Sequence, residues 1–144
     1  MANCMFCDNE IQVDSKHNCL VDCPNCGRYE LSYNAYKYLA PELEKPEFND
    51  KKHLISGYIY ETNELGLSLG LITMENFRSF INTSKIPQNL TDKFNKILQY
   101  LYRRTTHLGE VIQISKSQPA IAYAKNKIEF GKLLFAMKDL GYIK

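Results

Sequence analysis

An α+β fold, mostly helical, is predicted by three features of this 144-residue chain. Two Cys-x-x-Cys pairs lie within the first 26 residues, apolar side chains recur at helical spacing through much of the remainder, and the last helical pattern ends at Gly141. The cysteines predict an N-terminal zinc ribbon over residues 1–32. The apolar stripes predict a winged-helix-like helical domain over residues 33–144, joined to the ribbon by a linker near 41–48.

Cys4-Met-Phe-Cys7 and Cys23-Pro-Asn-Cys26 are separated by 15 residues. A Cys-x-x-Cys turn directs two sulfurs at one centre, and the intervening segment is long enough to return the second pair to the first. Cys4, Cys7, Cys23 and Cys26 are therefore the expected metal ligands, with one Zn²⁺ as the cofactor. Four thiolates close its tetrahedral shell and leave no position for water, so the ion is expected to be structural. A lone Cys-x-x-Cys would suit thiol exchange, but two copies with no βαβ pattern around them favour metal. Gly27, beside the second pair, suits a turn that needs positive φ. Cys19 is read as a small buried residue on a ribbon strand; His17 is left without a role. An odd cysteine count, and a start without basic residues or an apolar run, oppose an exported disulfide framework. Reduced thiols then place the chain in the cytoplasm.

Hydrophobic content of 44% and charged content of 24% match a globular domain. No apolar run approaches the roughly 18 residues that a membrane span needs. The net charge of +2 conceals an asymmetry. Residues 1–50 carry four basic side chains (Lys16, Arg28, Lys37, Lys45) against nine acidic ones, while the remainder carries 14 basic against seven acidic. A basic C-terminal half suits DNA or RNA. Dispersed as they are, the same charges also suit solvated helix faces.

Element by element, Lys16 to Asp22 and Arg28 to Leu31 read as ribbon strands. Ser32 caps a short helix through Tyr33, Tyr36 and Leu39 that stops before Pro41. Pro41 to Pro46, acidic and bounded by prolines, is the linker candidate. Asn49 or Asp50 caps a second helix to about Leu65, with Leu54, Ile55, Tyr58 and Ile59 as its stripe. Thr73 caps a short helix carrying Met74, Phe77, Phe80 and Ile81. Asn89 precedes the clearest helix, with Leu90, Phe94, Ile97, Leu98 and Leu101 as its stripe and Lys93, Lys96 and Arg103 on or near its outer side. Glu110 to Ser115, rich in β-branched residues, reads as a strand. Asn126 and Glu129 form a capping-box pattern for a final helix with Phe130, Leu133, Leu134, Met137 and Leu140 inward and Gly141 at C′. A helix leaving through Leu140-Gly141-Tyr142-Ile143 is how a winged helix enters its wing, so the natural chain is expected to continue past Lys144.

Three blocks carry a resemblance: Cys23-Pro-Asn-Cys26-Gly27-Arg28-Tyr29-Glu30-Leu31-Ser32, then Leu54 to Glu64, then Pro119-Ala120-Ile121-Ala122-Tyr123-Ala124-Lys125-Asn126 leading to Gly141-Tyr142-Ile143. Together they resemble the zinc-ribbon and helical, winged-helix-like N-terminal region of bacterial multidomain proteins linked to anti-phage defence. In such proteins a TIR-like or nucleoside-deoxyribosyltransferase-like domain comes after it. The resemblance implies a recognition or assembly module whose enzymatic output lies elsewhere; only its cysteine motif is specific in itself.

No residue constellation predicts catalysis. His17, His53 and His107 have no convincing nucleophile beside them, no phosphate-binding loop occurs, and His107 reads as a residue bonding the carbonyls at a helix end. Two functions are expected, nucleic-acid binding first and protein interaction as its alternative. One is nucleic-acid binding, through Lys93, Lys96, Arg103, Arg104, Lys125 and Lys127 with Tyr100, Tyr102 and Tyr123 available for stacking. The other is a protein-interaction or oligomerisation module for an effector domain, with the tyrosines Tyr29, Tyr33, Tyr36 and Tyr38 as a partner surface or as a seal between ribbon and body.

Overall fold

A computed structural model of the chain describes residues 2–14, 18–83, 85–107 and 109–141. Among these the fold is α+β, with five short strands, four helices of 11 to 15 residues and one single-turn helix. Strands β1 (Ala2–Asn3) and β2 (Glu10–Asp14) flank the first cysteine pair, and β3 (Cys19–Cys23) and β4 (Gly27–Leu31) flank the second. These pair antiparallel in chain order, and β5 (Leu71–Ile72) adds to β4 in parallel. In β3 the residues Cys19, Val21 and Cys23 face inward while Leu20 and Asp22 face out, the period of two of a half-buried strand. Cys19, 1% exposed, is the buried strand residue expected; His17 and Lys16 lie outside the described residues. Cys23 pairs with Gly27 in the ladder, and Gly27 has φ +94, which a side chain would resist.

Helix α1 (Tyr33–Leu43) starts where Ser32 Oγ accepts the Ala35 amide at 3.1 Å. Its expected end before Pro41 is corrected. Pro41 sits within the last turn, where it forfeits only its own amide bond. The amides of Glu44 and Lys45 still reach the Pro41 and Glu42 carbonyls, and buried Leu43 holds the turn to the core. The linker expected near 41–48 is corrected with it. Pro46 opens the single-turn α2 (Pro46–Asn49), a position that needs no amide, and Phe48 packs edge-on against Phe77 with ring centroids 5.2 Å apart. Two buried side chains outweigh the acidic, proline-bounded composition.

Asn49 and Asp50 thus close α2 and do not cap α3 (Lys52–Glu64), whose N-cap position, Lys51, makes no side-chain bond. Of the residues of α3, Asn63 alone is exposed. Thr73 Oγ1 accepts the amides of Glu75 and Asn76, but the element it opens is a 3₁₀ turn, Phe77–Phe80, and not an α-helix. Asn89 caps α4 (Leu90–Arg104) by accepting the Asp92 amide at 2.9 Å, and Asn126 caps α5 (Lys127–Asp139) by accepting the Glu129 amide at 2.9 Å. The Glu129 carboxylate reaches the Lys125 amide, one residue short of a true capping box. The stripes hold at Ile97, Phe130, Leu133, Leu134 and Met137, whereas Leu90 and Leu140, at the helix ends, are exposed. Gly141 has φ +84, as C′ requires; Tyr142 to Lys144, where the wing would start, lie outside the described residues.

The strand expected over 110–115 is corrected: among the described residues it joins no ladder. The segment leads into a 3₁₀ turn, Pro119–Ala122. One hydrophobic cluster unites the ribbon cysteines, Leu31, Leu39, Leu43, Ile55, Ile59 and Phe77; a second unites Tyr60, Ile97, Tyr100, Ala120 to Ala122, Phe130 and Met137. Helix α3 contributes to both. The Tyr123 ring, fully buried, lies so close to Gly57 that a Cβ there would clash with it. Gly57→Ala is therefore expected to destabilise the protein by about 1–3 kcal/mol, the usual cost of overpacking. Urea unfolding measures this, and an unchanged midpoint would refute the contact.

Candidate metal centre and the expected cationic surface

Cys4 and Cys7 stand in the turn between β1 and β2, Cys23 ends β3, and Cys26 closes the turn into β4. The four Sγ atoms all lie within 4.8 Å of one another. Cys4 to Cys26 is 3.7 Å, Cys7 to Cys23 3.4 Å and Cys7 to Cys26 3.6 Å. Sulfurs about 2.3 Å from a tetrahedral ion are about 3.8 Å apart, so the four expected ligands are positioned to hold one metal ion. Cys4, Cys23 and Cys26 are buried and Cys7 partly so. The thiols also divide electrostatically. Burial, then hydrogen bonding to its neighbours, pushes the Cys26 thiol up, whereas hydrogen bonds from Cys23, Cys26 and Cys4 hold Cys7 down. A cluster this tight cannot carry four negative charges without a cation to offset them.

Residues the cysteine spacing does not reveal complete the centre. Tyr29 Oη lies 3.0 Å from Cys4 Sγ, and Ser56 Oγ, from α3, lies 2.9 Å from Cys26 Sγ. Burial raises the Tyr29 pKa, so its hydroxyl keeps the proton that it can donate to sulfur. Asn9 Nδ2 donates to Cys7 Sγ at 3.5 Å. Asn25, between the two ligands of the second pair, donates to Ser56 Oγ at 3.3 Å, while its Oδ1 accepts the Ala120 amide at 2.9 Å and its carbonyl accepts from Gln118 Nε2 at 3.3 Å. The three sequence blocks around Cys23, Ser56 and Ala120 therefore converge on one place. A serine-glycine pair interrupting an apolar helical stripe is the local signal for it.

Five of the six cations expected to face nucleic acid make ion pairs within the chain. Lys96 Nζ bonds both carboxylate oxygens of Glu61, at 2.9 and 2.8 Å, with side chains 13% and 8% exposed. Tyr123 Oη donates to the same Glu61 at 2.7 Å. Lys93 pairs with Glu129 at 2.7 Å, Arg103 and Arg104 share Glu64 at 3.6 and 2.8 Å, and Lys125 pairs with Asp50 at 3.2 Å. The outward placement expected for Lys93, Lys96 and Arg103 is corrected: acidic groups on α3 and α5 turn them inward. Lys127 is exposed and makes no ion pair among the described residues. Tyr100 and Tyr123 are buried, and Tyr102 is exposed. Tyr29 is buried while Tyr33, Tyr36 and Tyr38 are exposed, so Tyr29 alone of that group seals the ribbon. Exposed His107 bonds Glu110, with Nδ1 3.1 Å from the carboxylate, in place of the helix-end carbonyls expected.

No protein-family model, curated protein or solved structure matches the chain.

Two outcomes test this geometry. Ser56→Ala should leave the fold intact by circular dichroism yet weaken metal retention against a chelator by about 10–100-fold, the usual loss when a hydrogen-bond partner of a ligand is removed. His53, beside Lys93, Glu129, Lys125 and Asp50, is held down to about 4 by burial first and the Lys93 charge second, and its Nδ1 has no partner. An unfolded imidazole titrates near 6.5, so between these values the unfolded chain binds more protons. Stability should fall as pH drops from about 6.5 towards 4. His53→Gln should flatten that slope in pH-dependent thermal melts, and an identical slope would show that other groups set it.

Proposed function

We propose that the chain is a non-catalytic recognition module in which one structural Zn²⁺, held by Cys4, Cys7, Cys23 and Cys26, fixes a ribbon to a helical body. An all-sulfur set in a reducing compartment favours zinc. The module binds by protein–protein contact through the face made by α5 and residues 110–115. The observation that carries this reading is apolar exposure on that face: Val111 is 81%, Ile128 70% and Phe135 68% exposed. Val111 and Phe135 line a groove of about 640 Å³. Contiguous exposed apolar side chains mark interaction surfaces, and several of the expected nucleic-acid contacts are already paired with carboxylates of the same chain. On the resemblance to defence-associated proteins, this face would sense a trigger or assemble an effector domain.

Nucleic-acid binding is the second reading. Lys127, Lys132 and Lys138 are exposed on α5 and make no ion pair among the described residues. The winged-helix-like body expected from the sequence would use α5 as the helix that enters a groove.

Capture from cells with immobilised protein, compared with a Phe135→Glu variant, tests the first reading: a stoichiometric partner is expected with the former and lost with the latter. Equal recovery by both would overturn it. Fluorescence anisotropy with DNA and RNA at two salt concentrations tests the second. Binding that weakens with salt and disappears in a Lys127/Lys132/Lys138→Glu variant would make nucleic acid the ligand.

A further inference from the structure

The segment between α4 and the Pro119–Ala122 turn is made like a sheet edge that lacks its neighbour. Glu110, Ile112 and Ile114 are half-buried, while Val111, Gln113 and Ser115 are exposed. Ile112 and Ile114 pack on the C-terminal hydrophobic cluster. Among the described residues, no backbone amide from Val111 to Ser115 donates to a backbone carbonyl. Such a row of unpaired groups beside apolar side chains is a template for strand addition.

The segment is complementary to itself. We propose that residues 110–116 pair antiparallel with the same residues of a second copy, about a twofold axis through Gln113. This rests on the protein-contact reading and names its partner. In this register Ile112 lies opposite Ile114 and Glu110 opposite Lys116, and by symmetry each pairing occurs twice. Glu110, Ile112 and Ile114 form the half-buried face, and Lys116, exposed in the turn that follows, is the next residue in that alternation. The bonds that Glu110 makes to Thr106 and His107 all use Oε1, which leaves Oε2 for the lysine. A slip of one residue sets inward side chains against outward ones. A slip of two sets a charge of one copy against an isoleucine of the other. The register is therefore selected by both charge and apolar matching. Pairing about a twofold axis is isologous, with the same residues used by both copies.

Sedimentation velocity over a range of concentrations tests this. A reversible dimer is expected, and Gln113→Pro, which removes the amide on the axis beneath an exposed side chain, should be monomeric with an unchanged circular dichroism spectrum. Glu110→Lys and Lys116→Glu should each weaken dimerisation by roughly 2- to 30-fold, the range for two opposite-charge cross-strand pairs, and the double swap should restore it. Gln113→Cys should oxidise to a self-linked dimer faster than Lys132→Cys. A wild-type monomer at every concentration, a dimer indifferent to Gln113→Pro, or a double swap without rescue would overturn the pairing. A monomer that still loses a cellular partner on Phe135→Glu would overturn the pairing too, while leaving the protein-contact reading in place.

Discussion

Helix α3 has almost no free face, and the rest of the molecule is arranged to satisfy it. A helix buried on opposite sides cannot keep the usual division into apolar and polar stripes. Towards the ribbon it presents Ile55, Ile59 and the Ser56 hydroxyl; towards the C-terminal half it presents Gly57, Tyr60 and the Glu61 carboxylate. A buried carboxylate costs several kcal/mol unless it is paired and hydrogen-bonded. Lys96 and Tyr123 meet that requirement. The lysine is committed to the interior because α3 is, which explains why a residue that reads as a surface cation is used inside.

The ribbon is too small to bury much of itself, and domains of that size need a staple. A metal ion at the four cysteines would supply one, and Cys26 is also held from outside the ribbon, through Ser56 on α3. Metal centre and helical body therefore share one hydrophobic cluster and one hydrogen-bond network. A ribbon built this way is less an appendage than the wall against which the first half of the chain packs.

What was legible in the sequence was local. The four ligands, the caps at Ser32, Asn89 and Asn126, and the positive φ at Gly27 and Gly141 each depend on a few adjacent residues. The misreadings had non-local causes. Pro41 and Pro46 looked like breaks because burial of Leu43 and Phe48 is invisible to composition. Residues 110–115 had strand chemistry but no partner along the described chain. The cations looked free because each carboxylate that holds them comes from a distant element, Lys96 and Glu61 being 35 positions apart. The α+β class was legible in the sequence; the convergence of Cys26, Ser56 and Ala120 was not.

Asn25 turns the turn of a metal site into a joint between two halves of a protein. It is flanked by ligands on one side and holds the backbone of Ala120 on the other. An ion that ordered that turn would also steady Ala120, whose amide Asn25 accepts, and such coupling is reciprocal. A shift of residues 118–122 would disturb the Asn25 contacts that hold the turn of the second cysteine pair. A metal ion at the four cysteines would thus tie the ribbon turn to residues 118–122 as well as staple the ribbon.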